Sequence, residues 1–338
     1  MLLKIVLSSF AIVAVLLVSS FLFSLWQSAR LAARYPNIGE LTDVGGFRMN
    51  SYHWPRPATA DLPPLVFIHG ASGNLRDPMA AFFEPLKSRA EMLFVDRPGH
   101  GYSERGGDSN LTPDGQADAI ATLMRMKGIS RAIIIGHSFG GATTAALALR
   151  HGKNVAGLLF LSPATHPWPG GVDWYYDLAN TPVIGRLFCN TIALPAGLLQ
   201  MDMGVRHVFS PNPVPEGYLD KAAIPLVLRP DTFCNNARDV ANLLAYVRKE
   251  QPHYREITAP TIIITGDSDD IVYEELHSRG LKRDIAGSEL YWVRNLGHKP
   301  DYVATDLAIA AIEKLAGMPR DLDAASRIVE KRIAPSAK

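Results

Sequence analysis

A serine between two glycines marks the chemistry this chain is best equipped to do. The stretch Ala132 to Gly141, A-I-I-I-G-H-S-F-G-G, leads a β-branched apolar run into G-x-S-x-G and then into small residues. That pattern predicts a strand, a sharp corner and a helix, with the Ser138 hydroxyl exposed beside a helix N-terminus. Gly136 and Gly140 flank it because side chains there would collide with the neighbouring strand and helix. A serine hydroxyl is a poor nucleophile at neutral pH and needs an imidazole held by a carboxylate. In a strand–corner–helix fold these partners come later in the chain, acid first and histidine second, each after a strand. Here G-D-S-D-D-I-V follows Ile262-Ile263-Ile264, and N-L-G-H-K-P follows Leu290-Tyr291-Trp292-Val293. His298 is therefore the candidate base. Asp269 is the candidate acid, with Asp267 and Asp270 as turn-forming or solvated neighbours.

Attack on a carbonyl creates an oxyanion that needs fixed donors. The backbone N–H of Phe139 is one candidate and that of Ala71 the other, each worth about 3 kcal/mol in a transition state. Ala71 lies in H-G-A-S-G-N after the apolar run Leu65–Ile68, where Gly70 and Gly73 let the backbone approach a substrate closely. Gly70, His137, Trp174 and Tyr175 are the candidate substrate-lining residues. No metal site is expected, because His69, His100 and His137 lack an i, i+4 ligand pairing and fit structural hydrogen-bonding roles. Neither G-x-G-x-x-G nor a G-K-S/T loop occurs, so no nucleotide cofactor is expected either.

The elements that must position these residues follow from the punctuation. Leu41 to Trp54 reads as a hairpin turned at Gly45-Gly46. Strands at Leu65–Ile68, Met92–Val95, Ala132 onward and Ala156–Leu161 alternate with helices. One helix spans Pro78–Ser88 with Asp77 as N-cap, another runs from Thr112-Pro113 to Gly128, and a third covers Phe139–His151. Such alternation implies parallel βαβ units with helices on both faces. It halts near His166, where Pro and aromatic residues dominate, and resumes at Pro260–Gly266 and Glu289–Val293. The expectation is a doubly wound, mostly parallel sheet of about eight strands, with core halves at 37–165 and 257–317. A helical cap at 166–256 interrupts it, and a charged tail at 318–338 carries one amphipathic helix.

Residues 1–36 differ in kind. From Ile5 to Trp26 there is no charge, and roughly 22 helical residues at 1.5 Å each reach ~33 Å, enough to span a bilayer. The run exceeds the 7–15 residues of a signal-peptide core, so a single-pass anchor is expected, with Trp26 at the interface. Lys4 and the amino terminus nearly balance Arg30 and Arg34, leaving orientation open. Over all 338 residues 20% are charged and they sum to a net +1, so nucleic acid is not an expected partner. Cys189 and Cys234 are expected as unpaired thiols; pairing would need a domain outside the cytoplasm.

Taken together, His69-Gly70, D-R-P-G-H-G (Asp96–Gly101), G-H-S-F-G-G (Gly136–Gly141), G-D-S-D-D-I-V and G-H-K-P resemble the α/β-hydrolase superfamily over Gly39 to Ala316. The chain looks closest to the bacterial branch of haloperoxidase-like esterases and meta-cleavage carbon–carbon hydrolases. The resemblance implies the α/β-hydrolase fold, no cofactor, Ser138, Asp269 and His298 as nucleophile, acid and base, and Ala71 and Phe139 as oxyanion hole. Epoxide hydrolases and haloalkane dehalogenases of the superfamily carry an aspartate at the corner; the serine here argues against both activities. The expected function is a serine esterase in a bacterial inner membrane, acting on a small acyl substrate. A carbon–carbon hydrolase or perhydrolase would use the same three residues, and a binding receptor or scaffold is the non-enzymatic alternative.

Overall fold

The computed structural model describes residues 1–335. A long helix, α1 (Leu2–Arg34), precedes the hairpin of β1 (Glu40–Asp43) and β2 (Arg48–Trp54). The hairpin turns at Gly45 and Gly46, both at positive φ, whose N–H groups donate to Asp43 Oδ1 at 2.8 and 2.9 Å. Six parallel strands follow: β3 (Leu65–Ile68), β4 (Met92–Val95), β5 (Ala132–His137), β6 (Val155–Leu161), β7 (Thr261–Gly266) and β8 (Glu289–Val293). The eight strands lie in the order β1-β2-β4-β3-β5-β6-β7-β8, antiparallel only at β1–β2 and β2–β4.

Successive strand residues feed opposite faces, which is why the strands are unbroken apolar runs. Leu65 and Phe67 pack with Phe82 and Leu86 of α2 (Arg76–Leu86). Val66 and Ile68 pack with Ile120 and Leu123 of α3 (Pro113–Met126) and Ala145 of α4 (Phe139–Arg150). The same alternation divides Ile133 and Ile135 from Ile134, and Ile262 and Ile264 from Ile263.

Between β6 and β7 the regular elements are all helical: α5 (Trp174–Asn180), α6 (Ile184–Phe188), a π-turn (Cys189–Ala193), α7 (Leu194–Phe209), α8 (Tyr218–Lys221) and α9 (Pro230–Glu250), with short 3-10 turns. The chain then runs through α10 (Glu274–Asp284), α11 (Pro300–Val303), α12 (Thr305–Leu315) and α13 (Leu322–Arg332). α13 is more than a solvated tail. It buries Leu322 and Val329 in the cluster shared with α12, and Arg294 grips Glu330 at 2.8 Å. Residues 336–338 of the expected tail lie outside the described residues.

Two expectations need correcting. Asp77 does not cap α2: the helix starts at Arg76, whose N–H donates to Asn74 Oδ1, and the Asp77 carboxylate is engaged elsewhere by Lys299 and Tyr218. Cys189 and Cys234 are not free thiols but a disulfide with Cα atoms 5.8 Å apart. Packing of α9 against the π-turn brings them together, a contact between distant segments that composition alone does not reveal.

Candidate active site

Ser138 sits between β5 and α4 at φ 53°, ψ −122°, a backbone conformation that few residues other than glycine adopt. The surroundings hold it there. Its N–H donates to Leu161 O at 3.0 Å, and its carbonyl accepts from Gly141 and Ala164 at 2.8 and 3.0 Å. A Cβ at Gly136 would stand 2.2 Å from Thr144 Oγ1, and one at Gly140 would stand 2.4 Å from Ile68 O. The flanking glycines are therefore obligatory, for the reason the motif suggested.

His298 and Asp269 arrive from the loops after β8 and β7. His298 Nδ1 lies 2.8 Å from Asp269 Oδ2, with both side chains almost wholly buried. Asp269 Oδ1 is held in turn by the N–H groups of Ile271 and Val272 at 2.9 and 3.1 Å. Burial pushes the Asp269 carboxyl up, but His298 and these two N–H groups outweigh it and hold the carboxyl below its ordinary value. His298 is drawn toward the serine corner by the residue before Ser138. His137 Nε2 donates to the His298 carbonyl at 2.8 Å, and the two rings lie 4.9 Å apart.

The loop after β3 approaches from the other side. A Cβ on Gly70 would come within 3.0 Å of the Ser138 Cβ, so this backbone passes close against the serine corner. Arg97, fully buried, holds the loop from behind: Nε donates to His69 O and Nη2 to Gly70 O, both at 3.1 Å. Because a trans peptide sets its N–H opposite its C=O, anchoring Gly70 O on Arg97 turns the Ala71 N–H away from Arg97. Phe139 is the first residue of α4, so its N–H has no partner within the helix.

The chain matches the family described as alpha/beta hydrolase fold over residues 63–300, which takes in the corner, both partner loops and the helical insertion. It belongs to the α/β-hydrolase family. Lipase 3 of Moraxella sp. (strain TA144) is 23% identical over 70% of this chain and 72% of its own length. A 2-hydroxy-6-oxononadienedioate/2-hydroxy-6-oxononatrienedioate hydrolase of Klebsiella pneumoniae is 26% identical over 69% and 80%. Among solved structures, a membrane phospholipase A superposes with TM-score 0.63 at 19% identity, covering 94% of this chain and 99% of that one.

Other expected site residues of this α/β-hydrolase have different surroundings. Trp174 is 70% exposed, its ring against Tyr175 and Phe188, so it is a surface group of the insertion rather than pocket lining. The Tyr175 hydroxyl donates to Asp173, and its ring lies tilted against Tyr176 in the cluster around the disulfide. It is Tyr176 whose hydroxyl faces Ser72 and Asn236, next to Ala71. His137, also expected to touch substrate, instead spends Nε2 on the His298 backbone.

Several buried charges went unread in the sequence. Asp239 of α9 meets Arg97, Arg105 and His100 at 3.1, 2.6 and 2.9 Å, fastening the insertion to the loop after β4. Lys299, beside His298, bridges Asp77 and Asp301 at 3.0 and 2.9 Å. Burial pushes its ammonium down, yet Asp301 and Asp77 hold it above the ordinary lysine value. Asp77, His137 and Asp301 have ligand-type atoms within 4.8 Å of one another, but the Lys299 ammonium already bridges the two carboxylates. Only a charged residue inside an apolar context, as in D-R-P-G-H-G, hinted at such networks.

These networks predict acid lability. Burial, with Arg97 nearby, pulls His100 down to about 4; burial, with His166 nearby, pulls His277 down to about 3. His277 Nδ1 also accepts the N–H groups of Thr165 and His166, which a proton would displace. Both rings are neutral when folded and protonate near 6.5 when unfolded, so below pH 6.5 the unfolded chain binds more protons. Stability is therefore full above pH 6.5 and falls by about 1.4 kcal/mol per group per pH unit toward pH 4. Thermal melts from pH 7 to 4 check this; a flat Tm across that window contradicts it.

Proposed function

We propose that this protein is a membrane-anchored serine hydrolase that cleaves a carboxylic ester or related acyl substrate through an acyl-enzyme. The observation carrying this reading is the His298 Nδ1–Asp269 Oδ2 hydrogen bond beside the strained Ser138 corner. With Nδ1 committed to the carboxylate, Nε2 is the nitrogen left to take the Ser138 proton as Oγ attacks the acyl carbon. The oxyanion is received by the N–H groups of Phe139 and Ala71, the latter aimed by Arg97 acting as a positioning residue. Collapse expels the alcohol, protonated by His298, and a water activated by the same imidazole releases the acid.

Relatives named as lipases support an acyl ester, and the Klebsiella relative supports a second reading, hydrolysis of a carbon–carbon bond on the same residues. A panel of p-nitrophenyl esters of graded chain length set against a vinylogous diketone decides between them. A fluorophosphonate probe is expected to label the native protein and to spare Ser138→Ala. Labelling that persists in the variant, or no turnover of any ester or diketone, would defeat the enzymatic reading.

Anchoring rests on α1. Its apolar stretch is exposed, while its C-terminal end is part of the fold: Leu31 and Tyr35 are buried against Leu226 and Leu228. The disulfide supports a catalytic domain on the oxidising side of the membrane, since such bonds persist outside the reducing cytoplasm. Protein extracted without reductant is expected to take no maleimide-polyethylene glycol, and two equivalents after reduction. Two reactive thiols at the outset would put the domain in the cytoplasm.

A further inference from the structure

The C-terminal half of α1 does not stand clear of the insertion. Ser20 Oγ donates to Thr191 O in the π-turn, and Ser24 is fully buried one turn further on. Leu31 and Tyr35 continue the same face, and the Tyr35 hydroxyl reaches Asp220 at 2.5 Å. Small serines at i and i+4 let the two backbones come close. This contact sets a depth. Ser20 lies inside the apolar run that ends at Trp26, six residues earlier, or ~9 Å along the helix axis. With Trp26 at the membrane interface, the π-turn lies that far below it, among acyl chains.

The surface around the π-turn suits such a place. From Thr181 to Met201 the only charged residue is Arg186. Val183, Ile184, Leu187 and Ile192 are exposed there, and on α7 Leu199 (89% exposed) and Met203 form a stripe at i and i+4. Asp202 and Arg206 occupy the neighbouring stripe of α7, where a headgroup rim would meet them. An apolar surface of this kind facing water would be a liability in a soluble domain. The same turn is tied to the site: Cys189 is bonded to Cys234 of α9, and Asn236 of that helix accepts the Ser72 N–H at 2.7 Å beside Ala71.

We infer that the face formed by α6, the π-turn and α7 is immersed in the bilayer leaflet next to α1, with phospholipid acyl chains as its partner. The inference rests on α1 being the anchor proposed above. It brings the part of the insertion that is tied to the Ala71–Ser72 loop against the acyl chains of membrane lipids.

The test uses the full chain in vesicles of phosphatidylcholine and phosphatidylglycerol, with the native disulfide intact. Single cysteines introduced by Leu199→Cys, Leu16→Cys and Met126→Cys are labelled with an environment-sensitive fluorophore. Quenching by lipids brominated along the acyl chain is then read at each position. Leu16 reports the anchor, and Met126, exposed at the end of α3, reports water. Quenching at 199 at least threefold above that at 126, together with strong quenching at 16, is the expected result. Strong quenching at 16 with equal, weak quenching at 199 and 126 overturns the inference and leaves the anchor standing. Weak quenching at all three removes the anchor and the inference with it. A 199 label quenched by a second labelled copy and not by bromolipid assigns the face to self-association and overturns it too.

Discussion

Ser138→Ala is expected to lower kcat on the best ester roughly 10⁶-fold and Asp269→Asn about 10⁴-fold, with KM and the melting temperature little changed. On the proposed mechanism the serine variant removes the atom that forms the acyl bond, while alanine fits the same strained corner as well as serine does. The aspartate variant is the more informative. Asp269 presents Oδ1 to the N–H groups of Ile271 and Val272, and Oδ2 to His298. An asparagine must keep its oxygen on the two backbone donors, so its NH₂ turns toward His298 Nδ1. The imidazole then carries its proton on Nε2, where it cannot accept one from Ser138. Steady-state kinetics with a p-nitrophenyl ester, alongside thermal melts, checks both. An asparagine variant retaining a tenth of the activity would mean that another group holds the imidazole.

What was legible in the sequence shares a physical character: it was local. The corner glycines, the Gly45-Gly46 hairpin and the strands Leu65–Ile68 and Glu289–Val293 are specified by residues within a few positions of one another. Paired burial on both sheet faces leaves unbroken apolar runs, which mark β3 through β7 before any coordinates exist. The loops after β7 and β8 were legible by chain order, which pointed to His298 but offered Asp267, Asp269 and Asp270 together in one turn; the hydrogen bond to His298 comes from Asp269. What escaped notice depends on segments that meet only in space. Asp77 has the chemistry of an N-cap, but a lysine more than two hundred positions away claims it. The disulfide needs α9 to lie on the π-turn, and a cysteine count cannot say that it does. Trp174 and Tyr176 are both aromatic residues of one short helix. Helical spacing fixes their angle to each other without saying which one faces the oxyanion loop.

Arg97 is where that non-local chemistry acts most directly on the reaction, and Arg97→Met is expected to cost about 3–5 kcal/mol of stability. The guanidinium serves His69 O, Gly70 O, Gln116 and Asp239, and lies 4.3 Å over the Phe139 ring. Methionine fills part of the volume but leaves the buried His69 carbonyl without a donor, Gly70 O with only His69 Nδ1 at 2.8 Å, and Asp239 short of one cation. Arg105 and His100 remain on Asp239, which keeps the loss toward the lower end. Activity should fall further than stability explains. With Gly70 O held by His69 Nδ1 alone, the Ala71 N–H is less firmly aimed, and a misdirected oxyanion donor lowers kcat by up to about 10²–10³. The two effects separate in Arg97→Met/Asp239→Leu, which removes the stranded carboxylate together with its partner. Urea denaturation should show part of the lost stability restored, while kcat stays low because nothing has replaced the guanidinium's hold on the His69 and Gly70 carbonyls. Recovery of both together would reduce Arg97 to a structural brace; recovery of stability alone makes it the residue that points the backbone at the oxyanion.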